Sequence, residues 1–342
     1  MLNYYVNISI MKQQLKNTSY PSSVFMMKIL KPILCFFILA LSSIMPFAIS
    51  EAIGREGTAI VIKSQDITAY NAVAEGFERY GQNDTITIKA VYNLKGDIEE
   101  GKRVIHHIAE IKPKPDVILT IGTLATTFAK KHIDNTPIIF CAVINHELLD
   151  LRGTNIYGVS SSVSIEKQFA ILSRILHGRK NVGILYDPVK TERIVSELTS
   201  LGSKYGYNVI TKKVSSKNDV EEALKAIIKK IDVLWVVPDD TVISRESINM
   251  FSEVSRKNHL PIFCTSGALV REGALISLSP NYSLMGGQAA EIAKRLIENP
   301  LQNPPHIEEP ENLTLTINTK TAEMQKVDIS QFLSLPNVVL CR

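Results

Sequence analysis

The chain has 342 residues, 45% of them hydrophobic, which suffices to bury two cores of ordinary size and argues against a disordered or fibrous protein. Its formal net charge of +4 arises in the N-terminal segment, because four of the 38 basic residues and none of the 34 acidic residues precede residue 51. The rest of the chain is neutral overall. Nucleic-acid binding is therefore not expected, since it needs a basic face that displaces counterions.

Residues 27–50 have the pattern of a secretory signal peptide. The segment contains a basic stretch, an apolar stretch and small residues ahead of the expected cleavage point: Lys28 and Lys31, then 33–41, then Ala48 and Ser50. We predict cleavage before Glu51 and a periplasmic product, because the apolar stretch is too short and too interrupted to favour a membrane span. A retained signal anchor is the alternative. Residues 1–26 are interpreted as an upstream extension or a misassigned start.

Four cysteines are present, and none has the spacing of a metal site. Cys35 lies inside the signal peptide, far ahead of the cleavage point, so a lipid-anchored product is not expected. Cys141 and Cys264 each end an apolar, strand-like run. Together with Cys341 they are expected to be free thiols rather than partners in a disulfide.

Alternating strand and helix patterns begin at residue 58 and form a first α/β unit. Short β-branched runs predict strands and amphipathic stretches predict helices, giving strands 58–63, 85–92, 117–121 and 137–142 and helices 68–80, 97–112 and 123–132. Strands connected through helices form a parallel sheet with right-handed crossovers. Ligands are then expected beyond the carboxyl ends of the first, third and fourth strands.

A second α/β unit follows residues 153–162, a segment that contains a short strand, 156–159, and that we interpret as a crossing between two lobes. The unit repeats the order of the first, with strands 181–186, 207–214, 232–237, 261–264 and 274–278 and helices 164–176, 190–205, 217–230 and 243–257. Two such units side by side leave a cleft between them.

A helix begins after Pro280 and extends to about Glu298, and a proline-rich stretch, 299–310, then breaks regular structure. Residues 313–317 alternate as a strand, which we expect to return to the first lobe. A loose tail is the alternative interpretation of the proline-rich stretch. The predicted N-terminal lobe is 51–160 plus about 281–342. The predicted C-terminal lobe is 161–280.

Polar residues follow the strands of the first unit at the edge where a ligand is expected. Ser64 and Gln65 come after the first strand, Gly122 and Thr123 after the third, and Asn145 after the fourth. The Gly-Thr pair opens a helix, whose free N–H groups and dipole favour a carboxylate or another anion. Each of these residues has an alternative role in capping a helix or forming a turn.

The matching loops of the second unit supply Tyr186, Asp240, Thr265 and Ser266 as candidate ligand contacts. The acidic pair of Asp239 and Asp240 suits a zwitterionic amino acid, because an ammonium group needs a carboxylate or several carbonyl oxygens. Capping of the next helix is the alternative role of this pair.

Three tyrosines, Tyr70, Tyr186 and Tyr282, lie at or just beyond the ends of predicted strands. One or more of them could stack on an aromatic or apolar ligand. Packing in the core or at the rim is the alternative.

The chain has no GxGxxG, HExxH, GxSxG or Walker A sequence. We therefore expect no catalytic residue, metal or cofactor. A small-molecule enzyme on a Rossmann-like scaffold is the competing hypothesis, and it lacks a nucleophile with a base near it.

The ordered set of motifs resembles the ABC-transporter substrate-binding family, whose members include receptors for tryptophan and other aromatic amino acids. The similarity extends over about 58–330, and it is carried by KSQD at 63–66, EGF at 75–77, PDVILTIGT at 115–123, TPIIF at 136–140, GVS at 158–160, NVGILY at 181–186 and LTIN at 315–318. The resemblance implies a type I periplasmic-binding-protein fold, in which two Rossmann-like α/β lobes with parallel sheets are joined by a three-crossing hinge. It also implies a ligand at the lobe interface, and an ABC permease and its ATPase as partners.

These features together predict a periplasmic receptor that captures a small polar or aromatic solute, with amino acids among the candidates. Binding is expected to close the lobes without covalent chemistry, and the protein is expected to act as a monomer. An extracytoplasmic sensor that reports its ligand to a membrane partner is the alternative, and the sequence does not separate the two roles.

Overall fold

The structure is a computed structural model that describes residues 56–83, 86–151, 153–176, 178–299 and 306–342. The predicted signal peptide and the segment ahead of it lie outside these residues. Within the described ranges, no helix is both long enough and apolar enough to cross a membrane. Residues 54–342 form one compact unit.

Two β-sheets organise this unit. The strands, numbered in chain order, are β1 Gly57–Lys63, β2 Ile86–Asn93, β3 Val117–Ile121, β4 Ile138–Cys141, β5 Ile156–Val159, β6 Asn181–Tyr186, β7 Asn208–Lys213, β8 Val233–Val236, β9 Ile262–Cys264, β10 Ile276–Pro280, β11 Ile307–Glu308, β12 Leu313–Asn318 and β13 Val338–Cys341. Sheet 1 has the order β11-β5-β4-β3-β1-β2, and sheet 2 has the order β13-β12-β10-β9-β8-β6-β7. The described pairings are parallel except that of β10 with β12.

Helices cover the sheets. Numbered in chain order within the described residues, they are α1 Thr68–Asn83, α2 Ile98–Glu110, α3 Thr123–His132, α4 Ile165–Leu176, α5 Pro188–Lys204, α6 Val220–Ile227, α7 Arg245–Asn258, α8 Gly267–Arg271, α9 Tyr282–Glu298 and α10 Thr319–Gln325. The prediction of two α/β lobes with parallel sheets is confirmed. Four short elements were not predicted from the sequence: α8, β11, α10 and β13.

Sheet 1 is buried on both faces, as is usual for a parallel sheet. Ala59 and Val61 of β1 belong to a core shared with α1 and α9, whereas Ile60 and Ile62 belong to a core shared with α2 and α3. Successive side chains of a strand point to opposite faces, so a strand covered on both sides needs apolar residues at every position. This burial explains the continuous apolar run that predicted β1.

Sheet 2 is built in the same way. Trp235 of β8, the single tryptophan of the chain, packs edge-on against Phe169 and Phe263, with ring centroids 5.1 and 4.9 Å away. The opposite face forms a second core with α6 and α7, which includes Leu234 and Phe251. Each lobe therefore has a hydrophobic core on both sides of its own sheet.

The chain passes between the lobes three times. The crossings are 160–164 between β5 and α4, Asn281 between β10 and α9, and 309–312 between β11 and β12. They lie side by side, because the Asn281 N–H donates to the Asn312 carbonyl oxygen at 2.9 Å and the Ser160 N–H donates to the Glu308 carbonyl oxygen at 2.8 Å. The three-crossing hinge implied by the family resemblance is confirmed.

The C-terminal strands belong to the second lobe. We expected 313–342 to return to the first lobe, and this prediction is wrong, because β12 and β13 are part of sheet 2. β12 pairs antiparallel with β10, with Leu315 opposite Leu278, and Leu315 and Ile317 are buried in the core of sheet 2. The alternation of apolar residues predicts a strand, but it does not identify the sheet edge that receives the strand.

Helices α1 and α9 pack backbone to backbone on one face of sheet 1. A Cβ atom at Gly76 would lie 2.0 Å from the Ser283 carbonyl oxygen, and one at Gly286 would lie 2.1 Å from the Val73 carbonyl oxygen. Both distances are far below van der Waals contact, so only glycine lets the helices approach this closely. Because α9 directly follows the second crossing, this contact attaches the returning chain to the first lobe.

We expect Gly286→Ala to push α1 and α9 apart and to lower the free energy of unfolding by about 1–3 kcal/mol, the usual cost of overpacking a core. Thermal unfolding followed by circular dichroism measures the change. Gly81→Ala is the matched control, because Gly81 lies in α1, the partner of α9, and its added Cβ would meet Ile86 at an ordinary 3.4 Å. An unchanged midpoint for Gly286→Ala would contradict the close packing of the two helices.

Candidate functional site

Each sheet has a topological switch point, the position at which ligands bind in open parallel sheets. In sheet 1 the chain passes from β1 to β2 on one side and then to β3 on the other side. In sheet 2, β6 has the same position between β7 and β8. The carboxyl ends of these strands therefore define the candidate site.

Ser64, Tyr70 and Gly122 lie together at the carboxyl ends of β1 and β3. The Ser64 hydroxyl oxygen accepts the Ala125 N–H at 3.0 Å and so caps α3 from the neighbouring strand. Gly122 has a φ of +87°, and a Cβ atom there would lie 2.5 Å from the Tyr70 hydroxyl oxygen and 2.7 Å from the Ser64 hydroxyl oxygen. Glycine is therefore required at this position by both the backbone angle and the space.

Thr123 and Gln65 are exposed beside this group. Thr123 is the first residue of α3, whose leading N–H groups have no partner within the helix and form the positive end of its dipole. The Gln65 side chain turns toward Gly96, in the loop after β2. The structure thus brings Ser64, Gly122 and Thr123 together, and it places Gln65 at the edge of the group.

Tyr282 lies in the same part of the first lobe as Tyr70. Tyr70 is in the first turn of α1 and Tyr282 begins α9, and both half-buried rings pack against the core that these helices share with sheet 1. Burial raises the pKa of Tyr70, and burial together with the nearby Tyr70 raises the pKa of Tyr282. Both are therefore neutral phenols at physiological pH. The sequence placed Tyr70, Tyr186 and Tyr282 alike at or beyond strand ends. That pattern gave no reason to prefer Tyr70 and Tyr282 over Tyr186 as ligand contacts.

The loop after β4 contains Asn145 in a left-handed conformation, with a φ of +50°. Its carbonyl oxygen accepts the Leu148 N–H at 2.9 Å and so begins the 3-10 turn His146–Leu149. Asparagine tolerates this conformation better than most residues, so the turn alone accounts for it. The half-buried side chain makes no capping hydrogen bond, which leaves Asn145 as a candidate contact.

Asp239 has a structural role in the second lobe. Its carboxylate is only 2% exposed and accepts four hydrogen bonds, at 2.6–3.3 Å, from the Thr191 hydroxyl and the N–H groups of Asp187, Thr241 and Val242. These bonds join the carboxyl ends of β6 and β8. Because its oxygens are fully occupied, Asp239 is not available to an ammonium group.

Asp240, the predicted ligand contact of the acidic pair, is exposed and forms an ion pair with Lys190 at the start of α5. An ammonium ligand would have to exchange with this lysine. Neither acid caps the next helix directly, because the N-cap residue of α7 is Ser244.

Tyr186 is a core residue of the second lobe, which corrects its selection as a ligand contact. The residue is 3% exposed and belongs to the core of sheet 2, and its hydroxyl donates to Glu192 at 3.3 Å. Tyr186 is the last residue of β6, and its side chain points to the face of sheet 2 that α4 and α5 cover. For Tyr186 the alternative role, packing in the core, is the one that the structure shows.

Thr265 and Ser266 are half-buried at the carboxyl end of β9, and Ser266 is the N-cap residue of α8. The Cys264 thiol donates to the Ser266 carbonyl oxygen at 3.4 Å. Cys141 and Cys264 are buried free thiols as predicted, and burial raises the pKa of each to about 12.

An ion pair joins the two lobes next to the candidate site. Glu147, in the turn after β4, lies 2.9 Å from Arg193 of α5. The preceding His146 is buried, packs against the Phe140 ring and has its Nδ1 atom 3.4 Å from the Ser160 hydroxyl oxygen. Burial is the main reason why the pKa of His146 is lowered, so its ring is neutral at pH 7. Glu147, the first-lobe partner of this ion pair, therefore lies next to a residue that contacts the first crossing.

Two-lobed architecture with polar groups at both switch points defines a solute-binding protein. The chain belongs to the family described as ABC transporter substrate binding protein, which it matches over residues 59–337. A tyrosine-binding protein of Clostridioides difficile (strain R20291) is 27% identical over 233 residues, and the match spans 66% of each chain.

Solved structures share the fold. The ligand-free, open structure of a substrate-binding protein with adhesive properties from Clostridium difficile has a TM-score of 0.73 at 22% identity, covering 84% of this chain and 99% of that one. An ABC domain from Streptococcus pneumonia in complex with L-Trp has a TM-score of 0.62 at 19% identity, covering 83% and 99%.

The hydrogen bond between Thr241 and Asp187 makes stability depend on pH. The Thr241 hydroxyl, at 2.8 Å, and the Val189 N–H lower the pKa of Asp187 below its ordinary 3.8. A carboxyl group with a lowered pKa stabilises the fold above its unfolded pKa, and this contribution is lost as the pH falls through the folded value. Thr241→Val should therefore be most destabilising near neutral pH, and its difference from wild type should shrink below about pH 3.8.

Urea unfolding at a series of pH values measures this difference, and Thr241→Ser, which keeps the hydroxyl, is the control. A difference that stays constant with pH would assign the effect to lost packing instead.

The bridge between Glu147 and Arg193 is solvent-exposed, so it should contribute only about 0.2–1 kcal/mol to holding the lobes together. We expect Arg193→Glu to shift the ligand-free protein further toward open forms at low salt. Glu147→Arg combined with Arg193→Glu should reverse this shift, because the swap re-forms the pair. Small-angle X-ray scattering at low and high salt measures the opening. Arg103→Glu is the control, since its partner Glu100 lies in the same helix. If Arg103→Glu opened the protein as much as Arg193→Glu does, the ion pair between the lobes would be contradicted.

Proposed function

We propose that this protein is the extracytoplasmic receptor of an ABC uptake system and that it binds an amino acid with an aromatic side chain between its lobes. Family membership, the tyrosine-binding relative and the fold relative in complex with L-Trp support this proposal. The observation that carries it is the meeting of Ser64, Tyr70 and Gly122 at the switch point of sheet 1, with Tyr282 in the same part of the lobe.

The start of α3 is the proposed site for the ligand carboxylate. The N–H groups of Thr123 and Leu124 and the Thr123 hydroxyl are donors at the positive end of the helix dipole. The Ser64 oxygen accepts a hydrogen bond from the backbone, which leaves its hydroxyl hydrogen available, and the Tyr70 hydroxyl adds a further donor. A carboxylate suits this group because every one of these atoms can donate to it.

The rim of the crevice is the proposed site for the ammonium group. Asp240, Thr265 and Ser266 would contact it from the second lobe, with Asn145 and Gln65 on the opposite side. Asp240 is the charged member, and the ligand ammonium would replace Lys190 as its partner. Charge-assisted hydrogen bonds of this kind are stronger than those between neutral groups.

Binding is proposed to stabilise a closed state, because contacts from both lobes are available only when the lobes meet. No covalent step is involved, and the protein acts as a monomer in the periplasm. The closed receptor then delivers its ligand to an ABC permease that is driven by a cytoplasmic ATPase.

Protein exported to the periplasm and purified there should be stabilised against heat by tyrosine or tryptophan. A ligand at 100 times its dissociation constant adds about 2.7 kcal/mol. For a chain of this size that raises the melting temperature by about 4–5 °C. Glycine and ribose are the control compounds and should not stabilise the protein. Gly122→Ala is the control variant and should lose the stabilisation by tyrosine or tryptophan, because its Cβ would displace Tyr70 and Ser64.

Stabilisation by a sugar and by no amino acid would contradict the proposed ligand class. Chemical conversion of an added compound would favour an enzyme.

A further inference from the structure

Tyr282 links the hinge to the candidate site. β10 ends at Pro280 in the second lobe, and Asn281 forms the second crossing and caps α9 by accepting the Leu284 N–H at 3.1 Å. Tyr282 follows immediately, and its ring packs against the core of the first lobe. A ligand in contact with this ring is therefore in contact with the first residue beyond the hinge.

The positions of Tyr70 and Tyr282 are fixed by the helices that carry them. The glycine contacts between α1 and α9 leave no room for the helices to slide, and the Arg79 guanidinium adds a hydrogen bond to the Ser283 hydroxyl. At its other end, the Tyr70 hydroxyl lies against Gly122 and Ser64. The helices that carry the two rings are therefore held together independently of any ligand.

Both rings are half-buried, so each keeps part of its surface open. An aromatic side chain presents a planar apolar face and prefers an offset or edge-to-face arrangement with another ring. A ligand with a planar ring can meet these preferences, whereas an aliphatic side chain gains only buried area. The pair therefore discriminates by shape as well as by hydrophobicity.

We propose that Tyr70 and Tyr282 form an aromatic wall that selects ligands with a planar ring, and that Tyr282 is the specificity-determining residue of this pair. The proposal rests on the proposed function for the amino-acid ligand, and it adds the residues that choose its side chain. Tyr70 also contacts the proposed carboxylate site, so its replacement would weaken the binding of every amino acid. Replacement of Tyr282 is expected to weaken only the binding of ligands with a ring.

Isothermal titration of Tyr282→Leu with phenylalanine, tyrosine, tryptophan and leucine tests this wall. We expect about a tenfold loss of affinity for the three aromatic ligands, and for leucine a change within about threefold. Tyr282→Phe keeps the ring and should bind every ligand within about threefold of wild type.

Tyr80→Leu is the matched control, because Tyr80 lies in the same interface of α1 and α9, where it packs against Gly287. This variant should lower the melting temperature without changing the ratio of aromatic to leucine affinity. The emission of Trp235, which is buried in the second lobe, confirms for each variant that this lobe is folded.

An unchanged affinity ratio in Tyr282→Leu, with wild-type protein that binds amino acids, overturns the wall and leaves the receptor function standing. A similar change of ratio in Tyr80→Leu also overturns the wall, because the effect would then come from the helix interface. Wild-type protein that binds none of the amino acids overturns the proposed function itself.

Discussion

The backbone contact between α1 and α9 is the constraint on which the two-lobed arrangement depends. It holds α9 in the first lobe although the preceding strand belongs to the second, and it does so through Gly76 and Gly286. Gln288 extends the attachment, because its amide donates to the Glu308 carboxylate and the Glu309 carbonyl oxygen, both at 3.0 Å. One helix thus anchors the second and third crossings to the first lobe.

The two switch points use their polar groups differently. In the second lobe the buried Asp239 carboxylate is satisfied by donors from α5 and from the segments that follow β6 and β8. In the first lobe Ser64 caps the Ala125 N–H and Gly122 forms the turn before α3, so the N–H groups of Thr123 and Leu124 remain without a partner in the helix. The buried carboxylate of the second lobe therefore holds that lobe's loops together, whereas the polar groups of the first lobe lie at the start of a helix whose first N–H groups have no partner within it.

The sequence predicted those features whose cause is local. β1 and β3 are apolar runs because both of their faces are buried, and Gly122 follows from the sharp turn between a strand and a helix. Tyr186 and Tyr282 could not be separated in this way, because both lie at strand ends, and only the packing of α9 on α1 places Tyr282 beside the same core as Tyr70. The sheet that receives β12 depends likewise on where the third crossing lies, which no pattern within 313–317 specifies.

The bridge between the lobes has a strength that suits a receptor. An exposed pair such as Glu147 and Arg193 contributes about 0.2–1 kcal/mol, whereas a shift from mostly open to mostly closed needs about 5.5 kcal/mol. The pair alone therefore cannot close the protein, and the ligand must supply most of the difference. A much stronger bridge would close the empty lobes and exclude the ligand. The first-lobe end of the pair lies beside the hinge, because His146, which precedes Glu147, has its Nδ1 atom 3.4 Å from the Ser160 hydroxyl oxygen in the first crossing.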